Sequence, residues 1–496
     1  MHSLCMIPRG LYPSLRDTSM RVHPLLRLLP IAFVLILTLP IKLTAQTVAP
    51  AAPVVDSGTL AQRAQSLLGL VAFVFLAFVI GRLRGARTIP WRVIGWGIVL
   101  QFAFASLVLF VPRLLEGVQY GVQALLDYTR EGATMVFGNL VDVTVPVNDS
   151  PFPNPAVPIR GYAQTGAVFA FFVLPTIIFF SALTAILYHS GIMQYVVQGL
   201  AWVMAKTTGT SGAETLSTAA NIFVGQTEAP LMVRPFVATC TNSELMVIMV
   251  GGFANIASGV LGLYTAWLSP FIANAGGHLA AACFISAPAT LIVGKLLMPE
   301  TTTPVTSGGV RFKVEKIDAN LIDAAARGTT EGLTLALNVA AMLIAFTALV
   351  ALINGIIAWS SRKLGLAALT GEPLTLQNLL SYPMAPLAWL TGVPWSDARD
   401  VGSLLGIKTV LNELIAYSQM KDRFAVDPMF IAPRSALIAT YALCGFANFA
   451  SIGIQVGGIS TLAPGRRADL SRIALLAMIG GAIASFMGAC VVGVLL

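Results

Sequence analysis

Residues Gly252–Ser258 read GFANIAS and residues Gly445–Ser451 read GFANFAS, so six of seven letters recur in two apolar surroundings. Each copy follows a carboxylate in an interrupted apolar stretch: Glu228 in VGQTEAP and Glu413 in LLGIKTVLNELIA. A repeated unit of broken apolar segment, buried acid and then a helix opening on Phe-Ala-Asn is the layout of a transporter made of internal repeats. There the binding site sits near the membrane midplane, where interrupted helices leave backbone groups and polar side chains free.

Composition agrees. Hydrophobic residues make up 56% of the 496 and charged residues only 10%, against roughly 25% charged in a soluble domain. With a mean hydropathy of +0.81, the chain reads as an all-α polytopic membrane protein. Its net charge of +8 comes from basic residues gathered in short loops, which suits orientation in a membrane and not nucleic-acid binding. The five cysteines and four histidines are scattered without metal-ligand spacing, so no metal cluster and no resident cofactor are expected.

Apolar runs long enough to cross, roughly 20 residues, lie near 67–80, 93–115, 166–187, 245–268, 279–297, 333–359, 436–456 and 473–496. That gives eight transmembrane helices. Two poorer stretches, 215–237 and 401–419, carry Glu228 with Arg234, and Lys408 with Glu413. Both read as re-entrant hairpins, tolerable at depth only when buried in protein or lining a cavity. Arg82, Arg84, Arg87 and Arg92, then Arg311, Lys313, Lys316 and Arg327, then Arg466, Arg467 and Arg472 fall in three loops that eight alternating spans put on one face, the cytoplasmic one. Two full spans then separate the two FAN-bearing helices, so the repeats have inverted topology.

The expected organisation follows. Residues 1–45 are a signal peptide or an extra N-terminal span, since Arg21 and Arg27 precede the apolar run 29–39. Residues 46–62 are a linker. Residues 63–190 hold spans one to three of a scaffold, with an external loop at 117–164. Residues 191–300 form the first repeat: an interfacial helix, hairpin one, and spans four and five. Residues 301–330 are a cytoplasmic interfacial segment, whose part 317–330 (IDANLIDAAARGTT) is amphipathic. Residues 331–360 are span six, and 361–496 the second repeat with hairpin two and spans seven and eight.

An ionisable group at membrane depth is costly unless paired or wetted, which makes Glu228 and Glu413 functional candidates. The competing reading is structural pairing, Glu228 with Arg234 or Glu413 with Lys408. Amide and hydroxyl neighbours (Gln226, Thr227, Asn412) suit a polar, multi-hydroxyl or heterocyclic ligand. Asn255 and Asn448 stand where helices would break; with Asn221 they could offer amide oxygens to a hard cation such as sodium, or simply cap helices.

At these residues the sequence resembles the concentrative nucleoside transporter family. The match includes GQTEAPLMVRPF (Gly225–Phe236), GGFANIASGVLGLY (Gly251–Tyr264), IDAAARGTTEGLTLALNVAAMLIAF (Ile322–Phe346), APLAWLTGVPW (Ala385–Trp395), GSLLGIKTVLNELIAY (Gly402–Tyr417) and ATYALCGFANFASIGIQVGGI (Ala439–Ile459). The resemblance implies that Gln226, Thr227 and Glu228 contact the nucleobase, with Val260 lining its pocket. It implies that Glu413, Asn448 and Ser451 hold the ribose, with Phe446 against the ligand. A sodium site would use the side chains of Asn221 and Asn255 and the carbonyls of Val224 and Ile256. Asn255 stands where the family usually carries a hydroxyl, and Leu414 replaces a phenylalanine. The resemblance further implies a homotrimer in the bacterial cytoplasmic membrane, taking up nucleosides with sodium by an elevator-type motion. Proton coupling on the same fold is the alternative. An ion channel is the rival of a different class. An enzyme is disfavoured, because the chain has no HExxH and no GxSxG.

Overall fold

The computed structural model describes residues 58–141, 144–147, 161–164, 169–172, 174–307, 318–363 and 374–496. The signal-peptide or extra-span reading of 1–45 lies outside them, as does most of the linker. The described chain is almost wholly helical. Helices α1 (Leu60–Leu83) and α2 (Trp91–Phe110) are the first two spans. The stretch read as an external loop holds a 26-residue amphipathic helix, α3 (Pro112–Phe137), and a short antiparallel pair, β1 (Thr144–Val147) with β2 (Gly161–Gln164). Val111-Pro112 divides α2 from α3, because a proline cannot continue the hydrogen-bond ladder; the second span therefore ends at Phe110 and not at Leu115. Helix α4 (Leu174–His189) is followed by α5 (Ile192–Thr208) at a bend of 77°. Gly191, with φ of 84°, makes that turn, and α5 is the helix expected to leave the span direction.

The two repeats then follow with matching element order. The first is α6 (Gly212–Ala220), a turn through Gln226–Glu228, and short helical turns at Ala229–Val233 and Arg234–Val237. It continues in a helix broken into α7 (Asn242–Ala254) and α8 (Ser258–Leu268), then α9 (Ala275–Leu297). Helix α10 (Leu321–Lys363) joins the repeats. The interfacial segment and span six, read as two pieces, are one 43-residue helix from Leu321. No proline interrupts 321–363, and Gly328 and Gly332 at the boundary lie within the helix, where they let it press against Ala182 and Ile178 of α4. After α11 (Leu376–Leu390) the second repeat runs through α12 (Trp395–Val410) and α13 (Glu413–Val426). A broken pair follows, α14 (Pro433–Leu443) and α15 (Phe449–Leu462), then α16 (Arg467–Leu495).

Among the described residues, five segments are long and apolar enough to cross unaided, and the bent α4–α5 pair adds a sixth. The segment α7–α8 is 88% buried, α9 89% and α16 83%, against 33% for α1 and 28% for α2. Spans four, five and eight therefore form the core, and the first two lie outside it. Exposed Leu67, Val71 and Phe75 on α1, and Leu337, Ile344, Leu352 and Trp359 on α10, are apolar surface that a bilayer accepts. Small residues bring the core helices together: a Cβ on Gly481 of α16 would collide with Phe253 of α7, and one on Gly69 of α1 with the carbonyl of Leu390. In lipid, such close backbone approach and interhelical polar contacts hold helices together.

One contact set fixes the base of the first repeat. Ser211 caps α6 with Glu214 reaching back to it, and Thr241 caps α7 with Glu244 doing the same. The two capping boxes are cross-linked. Ser211 Oγ donates to Glu244 Oε1 at 2.7 Å, Thr306 Oγ1 donates to the same oxygen at 2.8 Å, and Lys295 of α9 pairs with Glu214. Lys295 Nζ also donates to Ser243 Oγ at 2.9 Å and lies 3.5 Å from Glu300. Glu300 loses hydration there, but Thr241 Oγ1, donating at 2.7 Å, and the Lys295 charge hold its carboxyl below the ordinary range. Removing one partner of a buried pair leaves the other charge uncompensated. Lys295→Met is expected to destabilise the protein by about 3 kcal/mol, read as a lowered thermal midpoint in detergent. The double variant Glu214→Gln/Lys295→Met should recover a large part of that loss; equal loss in both would remove the pair from this role.

Candidate functional site

Two helices stop in mid-core and restart. Helix α7 ends at Asn255, whose backbone is extended (φ −119°, ψ 160°), and α8 begins at Ser258. Helix α14 ends at Leu443 and α15 begins at Phe449. Broken ends leave carbonyls without intrahelical partners. Ser485 of α16 serves both breaks: its Oγ lies 3.3 Å from Ala254 O and 3.1 Å from Cys444 O. Gly445, at φ 150°, lies so near the other break that a Cβ there would fall 2.8 Å from Ala254 O and 2.9 Å from Phe253 O. The duplicated GFAN phrases are thus in contact with each other. The second copy needs its glycine both for that backbone angle and for the close approach.

A continuous polar chain crosses this junction. Glu413 opens α13 immediately after Asn412, which caps the helix by accepting from Ile415 N at 2.9 Å. The Glu413 carboxylate accepts from Tyr264 OH at 3.0 Å on one oxygen and from Asn448 Nδ2 at 3.2 Å on the other. Asn448 caps α15 through its Oδ1, which accepts from Ser451 N at 2.9 Å. Ser451 Oγ in turn accepts from Gln226 Nε2 at 3.4 Å, and Gln226 Oε1 accepts from Gln455 Nε2 at 3.2 Å. Gln226, Glu413, Asn448, Ser451 and Gln455 are all buried. Hairpin two is so linked to hairpin one by five side chains drawn from three segments.

Of the remaining candidates, Glu228 closes its own turn, accepting from Gly225 N at 3.1 Å, and its side chain stays exposed beside Thr227. Val260 is buried in the first turn of α8 and Phe446 is half-buried in the second break. The structural pairings weighed for the two acids do not form among the described residues. The Lys408 ammonium donates to Ala442 O at 2.8 Å instead of meeting Glu413, and Arg234 makes no ion pair with Glu228. Capping does account for Asn448 and Asn412, alongside their other contacts.

The proposed cation ligands converge differently. Asn221 is the C-cap of α6 and Asn255 of α7, and both are buried. Both amide atoms of Asn221 and the Nδ2 of Asn255 lack a hydrogen-bond partner. Val224 and Ile256 are buried in the same two breaks. Among the described residues no cluster of His, Cys, Asp or Glu could hold a metal, so the donors here are neutral oxygens, which suit a hard monovalent cation.

Tyr264 and Gln455 belong to this site and were not singled out from sequence. Tyr264 packs against Tyr417 with ring centroids 4.5 Å apart and the rings tilted by 33°; among so many aromatics it carried no signal of its own. Gln455 did carry one, as the single amide in the apolar run Phe449–Leu462. A cavity of about 610 Å³ among Arg84, Thr241, Glu300 and Arg466 includes none of these residues.

Known proteins resemble this chain in sequence and fold. The profile described as Na+ dependent nucleoside transporter C-terminus matches residues 278–493, the corresponding N-terminus profile 68–140, and one described as Nucleoside recognition 170–298. The chain is 41% identical over 434 residues to the uncharacterized transporter YutK of Bacillus subtilis, covering 86% of this chain and 98% of that one. It is 39% identical over 453 residues to sodium/nucleoside cotransporter 1 of Rattus norvegicus, covering 88% of this chain but 64% of the rat protein's length. The structure of CNTnw in an inward-facing substrate-bound state superposes with a TM-score of 0.73 at 37% identity, over 87% of this chain and 97% of CNTnw. A CNTnw variant in an outward-facing state gives 0.76 at 36% identity, over 88% and 98%. The chain belongs to the concentrative nucleoside transporter family.

Proposed function

We propose that the protein takes up nucleosides together with sodium across a bacterial cytoplasmic membrane, as a homotrimer whose repeats move in an elevator-type cycle. The observation that carries this reading is the buried chain from Glu413 through Asn448 and Ser451 to Gln226, which crosses from one repeat to the other. A ribose offers vicinal hydroxyls, each a donor and an acceptor, and Glu413 with Asn448 presents the matching acceptor and donor set. Gln226, Thr227 and Glu228 stand at the first hairpin's turn, where amide, hydroxyl and carboxylate can read a base edge, with Val260 and Phe446 as apolar walls.

These groups bond to one another. A nucleoside would replace side chain–side chain bonds with bonds to itself, so the cost of desolvating the site is met before binding. Sodium would be held by the unpartnered amide oxygen of Asn221, by the amide oxygen of Asn255 and by the Val224 and Ile256 carbonyls. Those residues flank the turn that carries Gln226–Glu228, so an ion ordering the turn favours the base-binding geometry. Linkage then requires each ligand to raise the other's affinity by the same factor. CNTnw is known in inward- and outward-facing states, which supports alternating access for this chain.

Uptake of radiolabelled uridine and adenosine into proteoliposomes is the test. Accumulation is expected with an inward sodium gradient and not with choline at equal pH. Accumulation driven only by a proton gradient would replace sodium by a proton carried on a buried glutamate, and non-saturable flux without counterflow would point to a channel. Glu413→Gln turns a two-oxygen acceptor into a half-donor and should weaken nucleoside binding by about 10- to 100-fold, the value of a charge-assisted hydrogen bond; near-normal uptake would remove Glu413 from ribose recognition. Asn255→Ala should raise the sodium concentration for half-maximal uptake by about tenfold while leaving the order of nucleoside preference unchanged.

A further inference from the structure

Helix α9 packs against both α6 and α7 beside the candidate cation site. Ser286, buried on α9, donates its hydroxyl to Asn255 Oδ1. The same Ser286 Oγ lies 3.1 Å from Cys283 O, one turn back on its own helix. Thr290, one turn further, commits its hydroxyl to Ser286 O at 3.0 Å and turns its methyl inward. A Cβ on Gly251 would lie 2.9 Å from Asn221 Nδ2 and 3.4 Å from Thr290 Cγ2, so Asn221, Gly251 and Thr290 share one small space. Ser286 is therefore the hydroxyl of α9 that reaches Asn255 Oδ1, one turn from the space that Asn221 shares with Thr290. Around it, three amide atoms are without partners: both of Asn221 and the Nδ2 of Asn255.

A serine hydroxyl has one proton and two lone pairs. With its proton on Asn255 Oδ1, as here, it occupies the acceptor that a cation would need. With its proton turned to Cys283 O, the Ser286 oxygen and Asn255 Oδ1 both present lone pairs to the same space. The turn is a rotation of one hydroxyl, with an acceptor already within reach at each end. We propose that Ser286 is a ligand of the coupling cation, supplying a hydroxyl oxygen from α9 and releasing Asn255 Oδ1 when the ion enters. This rests on the sodium site read above and adds a third helix to it. The ion then ties hairpin one and the first helix break to α9, an 89% buried core span. Neutral oxygens from three elements also favour a hard monovalent ion over a soft one.

The test uses full-length purified protein in detergent, titrated with sodium chloride against choline chloride at constant ionic strength. The thermal midpoint is the readout, which needs no transport. Wild type is expected to gain stability with sodium by mass action. Ser286→Ala should move the half-saturating sodium concentration upward by about fivefold or more, the loss of one neutral ligand. Ser286→Thr, which keeps the hydroxyl, should titrate close to wild type. Asn221→Ala is the control. If Asn221→Ala is shifted while Ser286→Ala titrates as wild type, Ser286 is not a ligand and the two-asparagine site stands. If Ser286→Thr is shifted as far as Ser286→Ala, the effect is packing and the proposal falls. If wild type itself does not distinguish sodium from choline, the sodium reading fails and takes the proposal with it.

Discussion

The contact between two unfinished helices is the constraint from which the rest of this structure follows. Helices α7 and α14 stop and abut, with Gly445 against the carbonyls of Phe253 and Ala254 and the single Ser485 hydroxyl within reach of a carbonyl at each end. In a lipid interior an unsatisfied backbone group costs several kcal/mol. A chain can break two helices there only by supplying partners from elsewhere. The partners are α16, which closes the breaks, and the side chains of Asn448, Asn255 and Gln226, which occupy the space the missing helical turns leave. A polar site in the middle of an apolar protein is thus a consequence of the breaks and needs no separate device.

The same logic governs the acids. Glu413 and Glu214 are both buried, yet they are handled differently. Glu214 meets the Lys295 ammonium beside the start of two helices, and the pair serves structure. Glu413 receives only neutral donors, Tyr264 and Asn448, while the nearby Lys408 turns its charge to the open end of α14 through Ala442 O. A carboxylate satisfied by neutral donors keeps hydrogen-bonding capacity that a ligand can take over. One locked to an ammonium does not. The difference separates an acid tied to a charge from one left with neutral partners.

Much of this was legible in the sequence, because the repeat is written in residues that have few other reasons to recur. The doubled GFAN located both breaks, and Glu413, Asn448, Ser451 and Gln226 join in one hydrogen-bonded chain. What escaped was set by packing. Glu214 and Lys295 are 81 positions apart, and nothing local to either announces the pair. Ser286 looks like any small residue on a buried helix until α9 is laid beside α7. The helix α3 was hidden in a stretch read as loop, since its polar half masks the apolar face that makes it a helix. The join of 321–330 to span six was missed because an amphipathic segment and an apolar one were assumed to need a break; Gly328 and Gly332 at the boundary instead let one continuous helix pack closely on α4.

The central claim is that one polar junction binds a nucleoside and a cation together. The most direct measurement is calorimetric titration of uridine or adenosine into purified protein across a series of sodium concentrations, with choline holding ionic strength. The account predicts a nucleoside affinity that climbs with sodium and levels off at saturation, and a sodium affinity raised by the same factor when nucleoside is present. Nucleoside binding of equal strength with and without sodium would contradict it.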